Sequence, residues 1–210
     1  MHPSPRVLTG LLVPPRCATC GAACDPRRAL CRPCNSEIAC ATALLARPGP
    51  PGVEVVLSAG PHEGALRSLV TSLKFARRLP LAARGAAAIR AAAEPRGLLC
   101  GGIVPVPPDP IRLRVRGFDP AEEIARALAR SSGLRLERCL ERRTGRPQVG
   151  RPKRQRLAEP PRIEAWRAPP RVALLVDDVW TTGATLGACA AALRQSGSER
   201  VVALTVAHAI

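Results

Sequence analysis

Two groups of residues in this chain have the types and spacing for chemistry. The first is the run Val172-Ala-Leu-Leu-Val-Asp177-Asp178-Val-Trp-Thr181-Thr182-Gly183-Ala-Thr185. An apolar stretch with the character of a buried strand ends in two adjacent carboxylates, and a small polar turn then leads into a helix. In α/β sheets, ligands bind at the carboxyl ends of strands, where this turn would lie. A helix N-terminus has unpaired N–H groups and the positive end of the dipole, which suits a phosphate. Gly183 lets the backbone approach closely, and the hydroxyls of Thr181, Thr182 and Thr185 add donors. Two carboxylates next to a phosphate make sense if they accept hydrogen bonds from sugar hydroxyls farther along the same ligand. A phosphate and a diol recognised together describe a ribose 5-phosphate.

The second group is a pair of knuckles, Cys17-Ala-Thr-Cys20 and Cys31-Arg-Pro-Cys34, with ten residues between them. Each presents two thiolates, and two facing turns complete a tetrahedral four-cysteine site of the zinc-ribbon type. Four thiolates leave no open position for a catalytic water, so the metal is expected to be structural. It would supply most of the folding free energy of so small a segment. Cys24 and Cys40 are spare thiols, and either can replace one of the four. Of the nine cysteines, six fall between Cys17 and Cys40. With no export signal, that clustering favours metal over disulfides. Cys100, Cys139 and Cys189 stand alone in apolar contexts and are expected in the core.

The elements that must position these groups follow from periodicity. Residues 47–52, Arg-Pro-Gly-Pro-Pro-Gly, have the composition of a linker between a module at 1–46 and a domain at 53–210. Strands are expected at 53–59, 102–106, 171–176 and 200–206. Helices are expected at 62–77, where Leu66, Leu69, Val70 and Leu73 recur at helical spacing, and at 81–93, 120–130 and 184–195. Asp119 caps the helix at 120–130, with Pro120 in its first position and Glu122 and Glu123 facing the dipole. Residues 142–162 are polar, basic and Pro-containing, hence a loop. Strand alternating with helix implies an α/β domain: a parallel sheet covered on both faces. No internal repeat is present.

The chain has 210 residues and 46% apolar content, enough for one such domain and a small appendage. Nothing approaches the roughly 18 consecutive apolar residues a membrane helix needs. No secretory h-region is read at the N-terminus, so a cytoplasmic protein without a membrane partner is expected. The net charge of +16 points to an anionic partner, nucleic acid or a phosphorylated small molecule. Only Lys74 and Lys153 among the 32 basic residues are lysines. In so Arg-rich a background a single arginine says little.

The segment around Asp177 and Asp178 resembles the phosphoribosyl pyrophosphate (PRPP) motif of type I phosphoribosyltransferases. That resemblance implies their fold and a ligand, PRPP or another ribose 5-phosphate. It also implies that Asp177 and Asp178 hold the ribose hydroxyls, while Val179, Trp180, Thr181, Thr182, Gly183, Ala184 and Thr185 wrap the 5-phosphate. Leu73-Lys74-Phe75, Val104-Pro-Val-Pro107, Arg116-Gly117-Phe118-Asp119, and Gln148 before Arg154 and Arg156 are similar to the ComF family of competence-associated proteins. In that family a four-cysteine zinc module precedes a phosphoribosyltransferase-like domain. This chain departs from it at Asp119 and at Leu157-Ala158-Glu159, where the family usually has Asn.

Transfer from PRPP releases pyrophosphate together with Mg2+ while an oxocarbenium-like centre develops, so the protein must neutralise the leaving group and exclude water. Lys74, at a helix end, is a candidate for pyrophosphate contact or a solvated cation. Arg112, Arg114 and Arg116 share one face if their segment is extended, as a lid or as a basic surface strip. The site expected to act in catalysis is therefore Asp177, Asp178, Lys74, Arg114 and Arg116. The arginines from Arg142 to Arg156 leave open a second lid, a nucleic-acid contact or a solvated loop. No histidine is expected to be catalytic: His62 reads as a neighbour of a helix cap, and His208 lies in the last apolar run. Three functions remain open: an Mg2+-dependent phosphoribosyltransferase acting on an unidentified acceptor, a single-stranded-DNA-binding protein of DNA uptake, and a PRPP sensor without chemistry. Four aromatic residues, Phe75, Phe118, Trp166 and Trp180, are few for a base-stacking surface.

Overall fold

The computed structural model describes residues 16–25, 29–40, 45–143 and 161–209. Its centre is a five-stranded sheet. Strands β2 (Val55–Ser58), β3 (Gly102–Pro105), β6 (Val172–Trp180) and β7 (Arg200–His208) run parallel, and β1 (Leu45–Pro48) is an antiparallel edge. The spatial order is β1-β2-β7-β6-β3. The inner strands read as unbroken apolar runs because both faces are covered: from Val201 to His208 every residue of β7 is buried. β1 begins before the expected linker and takes Arg47 and Pro48 into the sheet, where Pro48 is tolerated because the strand is an edge.

One face of the sheet carries helices α2 (Gly64–Ala76), α3 (Pro80–Ala93) and α5 (Pro120–Ser132). Their apolar stripes, including Leu66, Leu69 and Leu73, Ile89, and Ile124 and Leu128, meet Leu174, Val176 and Leu204 in one core. The opposite face is packed by α6 (Ala184–Gln195) and by a small antiparallel ladder of β4 (Leu140–Arg142) and β5 (Ile163–Ala165). That ladder brackets the expected 142–162 loop and takes only Arg142 from it. Residues 144–160, including Arg146, Gln148, Arg151, Lys153, Arg154 and Arg156, lie outside the described residues.

The chain leaves β6 toward one face, into α6, and leaves β3 toward the other, into α4 (Pro110–Arg116) and α5. Loops that diverge from adjacent parallel strands open a crevice at their carboxyl ends. β6 also runs farther than expected, because its partner β7 continues with it in register to Trp180 opposite His208. Asp177 and Asp178 therefore sit within the strand, and the turn that stops it comes only at Thr181-Thr182-Gly183.

The N-terminal module is not a separate bead. The second knuckle opens α1 (Arg32–Cys40) instead of a second β-ribbon turn, and Cys17, Leu30, Cys34 and Ile38 join the core formed by α2 and α3. Cys100, expected inside, is exposed beyond the last turn of α3, whereas Cys139 and Cys189 are buried.

Candidate functional site

The chemistry-bearing segment begins at the end of β6. Asp177 accepts the N–H of Asp178 through Oδ1 at 2.8 Å. Burial and then the charge of Asp178 push its carboxyl up to about 8, with Lys74 opposing. Asp178 is 8% exposed, and its Oδ1 lies 2.8 Å from Lys74 Nζ. Lys74 reaches it from the last turn of α2, so the lysine expected at a helix end points at a carboxylate of the site instead of into bulk solvent. Gly183 follows with φ +80°, a left-handed turn that a side chain would resist, and it serves as N-cap of α6. Trp180 packs its indole against Gly183, and the buried indole N–H has no acceptor among the described residues.

The site divides into two cavities. A cup of about 40 Å³ is lined by Asp177, Trp180, Thr182, Gly183 and Ala184 among others, over the first turn of α6. Beside it a cleft of about 580 Å³ is lined by Asp177, Asp178, Val179, Thr181 and Thr185 on one wall and by Lys74 and Phe75 on another. Thus residues 177–185 all line one cavity or the other.

The third wall comes from the β3–α5 connection. Asp109 caps α4 by accepting the N–H groups of Ile111 and Arg112, at 3.0 and 3.1 Å. Helical geometry corrects the expected extended segment: Arg112 and Arg116, one turn apart, both line the cleft, whereas Arg114 does not. Arg116 holds its guanidinium 5.3 Å from the centre of the Phe75 ring, and Phe75 is 71% exposed. Asp119 caps α5 as expected, accepting Glu122 N–H at 3.2 Å. It also lines the cleft, and burial together with the facing charge of Asp178 raises it to about 6.

The cleft is also lined by His62, Asp109, Arg112 and Arg142, none of them among the residues expected to act in catalysis. Arg142 comes within 4.0 Å of Asp109. His62 lies in the β2–α2 loop and donates its backbone N–H to the His208 carbonyl at 2.7 Å. Burial, aided by Lys74 and Arg67, holds the His62 imidazole below its ordinary pKa. A signal for α4 was available, since Asp109-Pro110 repeats the Asp119-Pro120 helix start.

The second candidate centre is the cysteine cluster. The Sγ atoms of Cys17, Cys20, Cys31 and Cys34 all lie within 4.8 Å of one another, and Cys20 and Cys31 are 3.6 Å apart. A tetrahedral zinc with about 2.3 Å bonds needs sulfur separations of roughly 3.8 Å, so the four are close enough to hold a structural zinc ion. At Cys17 burial opposes charge, but the Cys20 N–H and the Thr19 hydroxyl outweigh it and bring the thiol down to about 5. At Cys34 the Thr19 hydroxyl favours the thiolate, yet burial and the neighbouring thiols push it up to about 12. Four thiols this close ionise together only around a metal. Cys24 stands beside the cluster, its thiol raised by burial and by the charges of Cys17 and Cys31. The side chain of Cys40 lies outside the described residues.

Among the described residues no helix is long and apolar enough to cross a membrane. Comparison with known proteins finds neither a protein-family model nor a curated protein that matches the chain.

Proposed function

We propose that this chain is a ComF-type, phosphoribosyltransferase-like protein that binds PRPP in the cleft at the end of β6 and transfers its phosphoribosyl group to an acceptor. One observation carries the reading: paired carboxylates, a glycine-hinged threonine turn over a helix N-terminus, and a lysine all face adjoining cavities. In this proposal the cup takes the 5-phosphate, using the free N–H groups of α6, the hydroxyls of Thr181, Thr182 and Thr185, and the unpartnered Trp180 N–H. Asp177 and Asp178 accept hydrogen bonds from the ribose hydroxyls. Arg112, Arg116 and Lys74, around the wider cleft, face the pyrophosphate. Mg2+, when bound with the ligand, would offset the charge of the leaving pyrophosphate. For Lys74 to serve, it must exchange Asp178 for the ligand, which frees that carboxylate for the sugar. Phe75 and Phe118, at the mouth, shield the reacting carbon from water.

Calorimetric titration with PRPP, with and without Mg2+, tests the proposal. Saturable binding strengthened by Mg2+ is expected, and it should be lost in the Asp177→Asn, Asp178→Asn double variant while zinc content stays unchanged. Absence of binding by the unaltered protein would refute it.

A second reading, single-stranded DNA binding, is favoured by two exposed aromatics that each lie beside an arginine: Phe75 with Arg116, and Trp166 with Arg167 at 5.7 Å. It requires affinity that falls steeply with salt and is insensitive to Asp177 and Asp178.

A further inference from the structure

Helix α2 carries Lys74 and Phe75 into the cleft, yet its N-terminal cap position, Glu63, makes no side-chain cap hydrogen bond. The cap comes from the cysteine module. Glu37, on α1, accepts the Ala65 N–H through Oε1 at 2.8 Å. Gly64 is needed for this approach: its φ is +48°, and a Cβ there would collide with that same oxygen. Near the other end, the Ser72 hydroxyl donates to the Ala18 carbonyl at 2.5 Å. Ala18 lies inside the first knuckle, between Cys17 and Cys20, and Cys17 and Ala18 are buried against the same core as Leu69 and Leu73. Arg78, just past the helix, donates to the Arg16 carbonyl at 3.3 Å. The cysteine module therefore grips α2 at both ends, through α1 at the first and the first knuckle at the second, two residues from Lys74.

We propose that the four-cysteine module positions Lys74 by clamping α2, so that metal occupancy of the module sets the affinity of the cleft. Without a metal, nothing ties the two knuckles to each other and the first knuckle loses its shape. The Ala18 carbonyl and Glu37 then cease to fix the helix, and Lys74 loses its place opposite Asp178. Ser72 and Glu37 are positioning residues and touch no ligand. The affinity half of this statement rests on the phosphoribosyl reading; the clamp itself does not.

The test uses the full zinc-loaded chain, the same chain stripped by chelator, and the variants Ser72→Ala, Glu37→Ala and, as the conservative control, Ser72→Thr. Zinc content, amide hydrogen exchange over residues 64–76 and PRPP affinity are measured for each. Ser72→Ala and Glu37→Ala should keep their zinc, speed exchange in α2 and weaken PRPP binding by roughly five-fold each, the worth of one hydrogen bond. Ser72→Thr should restore both. In a Lys74→Met background Ser72→Ala should cost no further affinity, because the lysine it positions is gone. Stripping zinc should reproduce the exchange change in the unaltered sequence, which decides the matter even if a variant fails to fold. Unchanged exchange in α2 after stripping, or an undiminished Ser72→Ala effect beside Lys74→Met, would overturn the proposal. If the unaltered protein binds no PRPP, the phosphoribosyl reading fails and the exchange data alone judge the clamp.

Discussion

Asp177→Asn should stabilise the protein in alkaline solution while weakening its grip on PRPP. The carboxyl titrates at 3.8 in an unfolded chain and is pushed up to about 8 in the fold by burial and by Asp178. Below the lower value both states hold the proton. Between the two the folded state keeps it and the unfolded state has lost it, so stability falls as pH rises, and the loss is complete above about 8. Each tenfold change in proton affinity is ~1.4 kcal/mol, which over the full interval would approach ~6 kcal/mol. Asp177 keeps some contact with solvent, which screens the penalty and leaves on the order of 2–3 kcal/mol. Asparagine cannot ionise, yet its Oδ1 can still accept the Asp178 N–H. Its advantage should therefore be small in acid, grow with pH and level off above about 8, where the midpoint of unfolding should be roughly 4–12 °C higher than for the unaltered protein. Thermal unfolding followed by circular dichroism across this range measures the gap. A gap that does not change with pH, or a variant less stable in alkali, would show that Asp177 does not carry the raised proton affinity assigned to it.

Two further substitutions separate residues that the sequence treats alike. Arg116→Ala removes a cation from the cleft wall and should weaken PRPP binding roughly tenfold or more, the range of a charge-assisted hydrogen bond, whereas Arg114→Ala should leave it within about two-fold. Equal losses in calorimetry would place both side chains on the ligand. Asp119→Asn should remove a step in the pH dependence of binding: with its carboxyl raised to about 6, Asp119 is neutral below that pH and adds negative charge to the cleft above it. The unaltered protein should thus lose affinity for an anionic ligand, by roughly two- to five-fold, as pH rises through about 6, and the variant should not. A step that persists in the variant would assign it to another group.

What the sequence disclosed was local. The run into Asp177, the Gly183 turn, the Asp119 cap and the two knuckles are short-range patterns whose physics is complete within a dozen residues; the structure keeps the Gly183 turn and the Asp119 cap as expected, but carries Asp177 and Asp178 inside β6 and opens a helix at the second knuckle. What it hid depends on partners far along the chain. The extension of β6 to Trp180 is set by β7, and the pairing of β4 with β5 joins residues on either side of a long loop. The sequence Ile-Arg-Leu-Arg-Val-Arg alternates with the period of a strand, yet Asp109 and Pro110 start a helix there, and the cap outweighs the alternation over so short a segment. Lys74 was legible as a candidate because lysine is rare here, but its partner Asp178 lies 104 positions away and only the fold brings them together. The dependence of α2 on Glu37 is of the same kind, a cap supplied from another element that no window around residue 63 contains.

The charge pattern of the cleft argues for a ligand with two different ends. In a chain of net charge +16 a purely electrostatic nucleic-acid groove would be lined by arginines alone. Here the lining sets cations beside carboxyl groups: Lys74, Arg112, Arg116 and Arg142 with Asp109, Asp119, Asp178 and Asp177, the last kept protonated by burial up to about pH 8. They are also sorted. Asp177 and Asp178 belong to the sheet, whereas Arg112 and Arg116 come from the short helix α4. A polyphosphate lying wholly in the cleft would press against the two strand carboxylates, and a neutral sugar would leave the arginines without a partner. In the proposed complex a sugar with a diol in its middle and phosphate at both ends meets both demands: the strand carboxyls face the diol, the cup over α6 one phosphate, and Arg112 and Arg116 the other. The Lys74–Asp178 pair satisfies a carboxylate that burial would otherwise penalise, and in the proposed complex it would yield both partners to the ligand.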